Sequence, residues 1–115
     1  MVEPLAILKG TLDVLVLKSL TWQTMHGFEI TAWLERESRR RLALEDAALY
    51  QALYRLEKRR LVKAAWGVTD TNRRARFYSI TPAGRASLIE QTAHWIRYAE
   101  TMSDLLLATP SRARA

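Results

Sequence analysis

One stretch of the sequence places hydrogen-bonding side chains along a single predicted helix face. Within residues 45–60, four apolar residues recur at helical spacing: Leu49, Ala52, Leu53 and Leu56. The opposite face carries small, amide, phenol and cationic groups: Ala47, Gln51, Tyr54, Arg55 and Lys58. Amide and guanidinium groups can form paired hydrogen bonds with base edges in a DNA major groove. The stretch is therefore typical of a helix that enters a major groove, and an ordinary solvated helix face is the alternative.

The distribution of charge favours the first interpretation. The net charge is +6 over 115 residues, a length typical of one domain. Residues 36–85 contain thirteen Lys/Arg and five Asp/Glu, whereas residues 1–35 contain two and four, and residues 86–115 contain three and three. The positive excess therefore lies in the segment that contains the candidate helix, as expected for a surface that binds a polyanion.

Several other classes of protein are disfavoured by the composition. Without cysteine the chain has no disulfide and no thiolate metal site, and we expect no cofactor. The longest strongly apolar run is residues 14–17, and the N-terminus has no signal-like pattern, so we expect a cytoplasmic protein without a membrane segment. The two histidines, His26 and His94, are isolated, and no nucleophile or phosphate-loop motif is present. We expect no enzyme, and we expect His26 to cap or bond backbone.

The elements before the candidate helix are predicted to be two helices and a short strand. Residues 5–20 are apolar on more than one side, which indicates a largely buried first helix with a possible subunit contact. A second helix is expected over residues 28–38, and residues 42–44 are short enough for a single strand bridge. Between them, Arg39 and Arg40 belong to a triple arginine that is either solvated or in reach of phosphates.

A basic β-hairpin is expected after the candidate helix. Residues 62–68 and 74–80 alternate in the manner of strands, and Thr69-Asp70-Thr71-Asn72 between them is typical of a turn. Arg73, Arg74 and Arg76 begin the return strand. Three helices followed by a basic hairpin form a winged helix-turn-helix, in which the third helix enters the major groove and the hairpin contacts the backbone or minor groove. The predicted fold is mainly α with a small β-hairpin.

A long C-terminal helix is predicted from Thr81-Pro82 onwards, where Thr is a good cap and Pro fits the first helical position. Apolar or small residues then follow steps of four and three: Leu88, Thr92, Trp95, Ala99, Met102 and Leu106. Over residues 82–108 this helix is about 40 Å long, more than the core of one small domain can cover. We expect a two-fold dimer through this seam, with Leu8 and Leu12 of the first helix joining the interface.

The domain organisation follows from these elements. Residues 1–81 are expected to form the DNA-binding domain, residues 82–108 the dimerisation helix, and residues 109–115 a disordered tail.

Five segments, in this order and spacing, resemble the PadR family of bacterial transcriptional regulators: residues 8–13 (LKGTLD), 26–30 (HGFEI), 49–57 (LYQALYRLE), 66–67 (WG) and 72–81 (NRRARFYSIT). The resemblance implies a homodimeric repressor that binds a palindromic operator and that a planar or phenolic small molecule releases in many members. Trp95 looks like the aromatic residue that stacks such compounds at the dimer centre in some members, and we place Leu12, Leu15 and Ala99 beside it. Phe28 and Gln51 depart from the family, which commonly has Tyr and Pro there.

Together these patterns assign eleven residues to DNA binding: Arg39, Arg40, Ala47, Tyr50, Gln51, Tyr54, Arg55, Lys58, Arg73, Arg74 and Arg76. We expect Gln51 to contact a base and the hairpin arginines to contact phosphates, although one of these arginines can instead pair with Asp70 or Glu57. Tyr50 can instead pack against the second helix, and Trp95 can be plain dimer packing. Two alternatives for the whole protein are a winged-helix module that binds another protein and a DNA binder without an effector.

Overall fold

Four helices and five strands follow one another within residues 3–110, the part of the chain that the computed structural model describes. In chain order they are β1 (Leu5–Ala6), α1 (Leu12–Ser19), β2 (Met25–His26), α2 (Gly27–Glu37), β3 (Leu42–Ala43), α3 (Asp46–Lys58), β4 (Val62–Val68), β5 (Arg74–Ile80) and α4 (Pro82–Leu106). Most of the tail that was expected to be disordered, residues 111–115, lies outside the described residues.

The first helix begins later than its apolar pattern predicts. It was expected over residues 5–20, and that start is wrong, because α1 begins at Leu12. Gly10 has a φ of +87°, a left-handed conformation that interrupts a helix and that glycine adopts without strain. The residues before it extend instead, and β1 pairs in parallel with β3. The short strand predicted within residues 42–44 is thereby confirmed.

The start of α2 is closed by a reciprocal cap. The Nδ1 atom of His26 accepts the Glu29 backbone N–H at 3.4 Å, and the Glu29 carboxylate accepts the His26 backbone N–H at 3.1 Å. The two bonds satisfy N–H groups that the helix itself leaves free. The interpretation of His26 as a capping histidine is confirmed.

The core lies where α1, α2 and α3 pack together and the hairpin closes one end. The apolar face predicted for α3 is confirmed, because all four of its residues are buried: Leu49, Ala52, Leu53 and Leu56. They pack with Val16, Leu17, Ile30 and Leu34 of the other two helices, and with Val62 and Tyr78 of the hairpin. Each fully buried Leu or Ile of this kind contributes about 1.5–3 kcal/mol.

The predicted hairpin is present and belongs to a three-stranded antiparallel sheet of order β2-β5-β4. β4 and β5 pair along their full length, from Val62 opposite Ile80 to Val68 opposite Arg74. β2 pairs with only two residues of β5, namely Phe77 and Tyr78. The outer half of the hairpin is therefore a two-stranded ribbon that projects from the body of the molecule.

The long C-terminal helix begins as predicted, since the Thr81 hydroxyl accepts the Gly84 N–H at 3.0 Å and Pro82 is the first helical residue. Its early turns pack on α1, with Leu88 in the core. The helix has 25 residues, about 37 Å at 1.5 Å per residue. The radius of gyration is 17.2 Å, above the roughly 13 Å of a compact chain of this length, because α4 extends past the core. The mainly α winged helix-turn-helix with a long final helix is confirmed.

Candidate DNA-binding surface

The outer face of α3 is a continuous exposed ridge. All six residues predicted to contact DNA from this helix are exposed: Ala47, Tyr50, Gln51, Tyr54, Arg55 and Lys58. The burial of the opposite face fixes this orientation, since α3 cannot rotate without exposing its four core residues. The amide of Gln51 therefore lies on solvent-accessible surface in the middle of the helix.

Tyr50 lies at the edge of this ridge and touches α2. Its ring packs against Gly27, the first residue of α2, while the residue remains 53% exposed. The contact with the second helix that the sequence left open is thus present. A phosphate contact by the Tyr50 hydroxyl stays a prediction.

Arg55 forms an ion pair that was not predicted from the sequence. Its Nη2 atom donates to Asp13 Oδ1 at 2.6 Å and its Nε to Asp13 Oδ2 at 3.3 Å, which joins α3 to α1. The bond to this carboxylate raises the pKa of Arg55, so the guanidinium stays charged. Asp13 is the only acidic residue in the apolar stretch of residues 5–20. A single carboxylate in such a stretch is the feature of the sequence that could have indicated an ion pair. The predicted contact of Arg55 with DNA is untested and must coexist with this pair.

The hairpin arginines divide into two kinds. Arg73 and Arg74 are exposed, whereas Arg76 is partly buried and its Nη2 donates to Glu57 Oε2 of α3 at 2.8 Å. One of the two pairings left open by the sequence, that with Glu57, is therefore the one formed. Arg76 serves the contact between hairpin and α3, while Arg73 and Arg74 keep their charge available to a ligand.

A cleft of about 1000 Å³ separates the start of α2 from the hairpin. Gly27, Phe28 and Tyr50 line one side, and Arg73, Arg74 and Arg76 line the other. Glu29 and Asp70 also line the cleft, and the Glu29 carboxylate already accepts the His26 N–H at the start of α2. The attraction for an anion therefore comes from the arginine side chains, which bind phosphate oxygens. The arrangement suits a stretch of nucleic-acid backbone that runs between α2 and the hairpin while α3 reaches the groove beside it.

Arg39 and Arg40 lie away from this cleft. They follow the C-terminal end of α2, about 17 Å along the helix from Gly27. Both residues have left-handed φ values, 55° and 58°, and their N–H groups donate to the Arg36 and Glu35 carbonyls at the helix end. They do not line the cleft, and their role in phosphate contact stays a prediction.

A groove of about 880 Å³ lies between the start of α1 and the middle of α4. Leu8 and Val14 line one wall, and Trp95 and Tyr98 line the other with ring centroids 6.2 Å apart. Trp95 is the one predicted effector residue at the groove, because Leu12, Leu15 and Ala99 do not line it. Tyr98 was missed, although it follows Trp95 by three residues and so shares its helix face.

The residues predicted for dimerisation differ in burial. Leu12 and Leu88 are already buried in the core of the single chain, so neither offers much surface to a second copy. Ala99 is half-buried, and five others are exposed: Leu8, Thr92, Trp95, Met102 and Leu106. The free part of the seam therefore begins after Leu88.

Two further properties concern residues 3–110 as a whole. No group of three or more His, Asp or Glu side chains among them could hold a metal ion. No helix within the same range is long and apolar enough to cross a membrane.

Three packed helices, a basic hairpin and an exposed polar ridge on the third helix define a winged-helix DNA-binding protein. The model of the transcriptional regulator PadR-like family matches residues 16–90. The chain belongs to the PadR-like family and is a DNA-binding transcriptional regulator rather than an enzyme.

Related proteins cover most of the chain. A PadR family transcription regulator from Clostridium difficile is 27% identical with a TM-score of 0.71, over 84% of this chain and 99% of that one. A transcriptional regulator from Clostridium thermocellum is 25% identical with a TM-score of 0.76, over 84% and 90% of the two chains. A Lysinibacillus sphaericus protein designated protein X is 28% identical over 94 residues, 82% of this chain and 86% of that protein. These likenesses extend beyond the hairpin into α4.

Proposed function

We propose that this regulator is a repressor that binds a palindromic operator as a homodimer and is released by a small planar or phenolic molecule. The observation that carries the proposal is the unpartnered apolar surface of α4, on the same chain as a basic winged helix. Residues 1–81 bind DNA in this proposal, and residues 82–108 hold the two copies together.

The dimer rests on the length and exposure of α4. Past Leu88 the helix leaves large apolar side chains in water: Ile89, Trp95, Ile96, Tyr98, Met102, Leu105 and Leu106. Removing apolar surface from water contributes about 25 cal/mol per Å², so exposed apolar surface of this extent favours a partner helix. A second copy supplies a helix of equal length and composition, and a two-fold axis satisfies both at once.

The palindrome follows from that symmetry. A two-fold dimer presents two copies of α3 in opposite directions, so each reads one half of an inverted repeat, with half-sites about one helical turn apart. Gln51 is assigned to a base edge because its amide can pair with adenine N6 and N7. Arg73 and Arg74 are assigned to phosphates, which position the protein without specifying sequence.

The effector proposal rests on the groove beside Trp95. Two aromatic side chains of α4, Trp95 and Tyr98, form one wall of this groove, opposite Leu8 and Val14, and the proposed dimer brings the second copy to the same helix. Flat aromatic compounds stack on rings of this kind and bury apolar surface between them. Binding there would alter the spacing of the two copies, and with it the distance between their α3 helices.

Binding to a palindromic operator is tested by selecting bound duplexes from a random pool at near-physiological salt. We expect an inverted repeat with half-sites about one helical turn apart. The variant Met102→Glu places a charge in the exposed seam. We expect it to sediment as a monomer and to select no inverted repeat. Recovery of nothing above background would contradict the proposal and favour a module that binds another protein. An operator complex that survives every planar compound tried would favour a DNA binder without an effector.

A further inference from the structure

The hairpin carries an aromatic side chain between two of its arginines. The Arg74 guanidinium carbon lies 4.3 Å from the centroid of the Trp66 ring, and that of Arg76 lies 5.9 Å from it. Trp66 is directly opposite Arg76 in the strand register, and Arg74 is opposite Val68, two residues further along β4. The three side chains therefore share one face of the hairpin, with the indole within cation–π distance of both cations.

Arg76 anchors this cluster to α3. Besides its ion pair with Glu57, its guanidinium carbon lies 5.8 Å from the ring of Tyr78, a core residue. Its Nε atom is buried without a hydrogen-bond partner among the described residues, so its inner edge is covered by protein. Arg74, in contrast, has no carboxylate partner within residues 3–110 and is exposed. The indole of Trp66 is the contact that holds its guanidinium in place.

This anchoring matters because the hairpin loses its third strand at this point. β2 pairs only with Phe77 and Tyr78, and Trp66 belongs to the first cross-strand pair beyond them. A two-stranded ribbon is only marginally ordered in water without contacts on one face. An exposed tryptophan at a protein surface often has no structural role. Here, however, the ring lies at the position where the third strand ends and side-chain contacts must hold the ribbon instead.

We propose that Trp66 is a positioning residue for DNA binding, which orients Arg74 towards phosphate and ties the outer half of the hairpin to α3 through Arg76 and Glu57. The inference rests on the proposed DNA-binding role of the hairpin and names a residue that carries no charge of its own. Replacing Trp66 should therefore abolish the binding of one phosphate without removing a cation.

Salt dependence of DNA binding is the measurement that separates this role from general destabilisation. The slope of log affinity against log salt falls by about one for each phosphate that the protein no longer neutralises. For Trp66→Ala we expect about tenfold weaker binding to the selected duplex and a slope reduced by about one, as for Arg74→Ala. We expect Trp66→Phe, which keeps an aromatic face, to retain most of the affinity, and Trp22→Ala, which removes another exposed tryptophan, to change neither quantity. In the Arg74→Ala background, Trp66→Ala should reduce the slope no further.

A measurement without DNA keeps this inference distinct from the proposed function. Side-chain protons of Arg74 that lie over an indole should show an upfield ring-current shift in the NMR spectrum, which Trp66→Ala removes and Trp22→Ala leaves. Two results would overturn the proposal. One is the absence of an upfield shift of the Arg74 side-chain protons in the unmodified protein. The other is a folded Trp66→Ala or Trp66→Phe protein that has lost affinity for DNA but keeps the full salt slope. Failure of the unmodified protein to bind any duplex, with the ring-current shift present, would instead count against the proposed function.

Discussion

The ring of Tyr50 lies so close to Gly27 that a Cβ atom on Gly27 would stand 2.5 Å from the phenol oxygen and 2.8 Å from the ring carbon that bears it. The first residue of α2 thus has room only for a hydrogen atom. This packing sets the position of Tyr50 at the boundary between the α3 ridge and the cleft. It links the local structure at the start of α2 to the surface that is predicted to meet DNA.

We expect Gly27→Ala to displace the Tyr50 side chain and to weaken DNA binding. The side chain is half-exposed and can swing towards solvent, so the free energy of unfolding should fall by less than about 1 kcal/mol, within the range of surface substitutions. Affinity should fall for specific and random duplexes alike, as expected when a side chain no longer reaches its phosphate. The measurement is DNA affinity for Gly27→Ala, Tyr50→Ala and the double variant. Additive losses in the double variant would contradict a role of Gly27 that acts through Tyr50.

The pair between Asp13 and Arg55 should contribute modestly to stability. Arg55 is more than half exposed, and solvent screens such a pair, but both of its bonds reach a largely buried carboxylate. We expect a coupling energy of about 1 kcal/mol from a double-mutant cycle of Asp13→Ala and Arg55→Ala, reduced at high salt. The exposed pair of Arg36 and Glu37 is the control, and its coupling energy should be close to zero. Equal values for the two cycles would show that the Asp13 pair has no special geometry.

Gln51 and Arg74 should fail in different ways. Gln51→Ala should relax the preference at one base pair by about 1–3 kcal/mol, because only base-edge contacts read sequence. Arg74→Ala should weaken binding to all sequences and reduce the salt slope by about one. Affinities on the selected operator, on single-base variants and on random DNA measure both effects, with Lys63→Ala, on the other face of the hairpin, as the charge control. Equal losses on operator and random DNA for Gln51→Ala would refute the division of roles.

Planar lipophilic compounds that release the DNA should change the fluorescence of Trp95. Stacking on an indole that is partly exposed alters its polarity and quenches its emission. The chain has four tryptophans, so the difference between the unmodified protein and Trp95→Leu isolates the signal. Release of DNA with an identical fluorescence response in both proteins would place the effector elsewhere.

Stability should decline at high pH partly through Tyr78. Burial raises the pKa of its phenol above the usual 10.0, and this effect outweighs the opposing charge of Arg76. A group whose pKa is higher in the folded state contributes stability that is fully present below about pH 10 and is lost as pH rises through the folded-state value. Urea unfolding between pH 8 and 11 should therefore show a shallower decline for Tyr78→Phe than for the exposed control Tyr54→Phe. Parallel declines would exclude Tyr78 as the cause.

Much of the fold could be predicted because it depends on local patterns. Three features follow from residues close together in the sequence. They are the buried face of α3, the alternation of residues along the two hairpin strands, and the start of α4 at Thr81-Pro82. The start of α1 could not be predicted from its apolar run, because the left-handed conformation of Gly10 ends that run as a helix. The apolar patterns of α1 and α4 also predicted Leu12 and Leu88 at a subunit contact, whereas both side chains pack in the core of the single chain.

The sequence by itself determined which residue types face outward on α3 and that α4 is too long for one small domain, since helical periodicity and length are properties of consecutive residues. Tertiary structure alone decided that Asp13 holds Arg55, that Glu57 rather than Asp70 holds Arg76, and that Tyr50 rests on Gly27. These partners are 19 to 42 residues apart where they are hydrogen-bonded. Such pairs form only when packed elements bring distant side chains to within a few ångströms, a condition that no local pattern encodes.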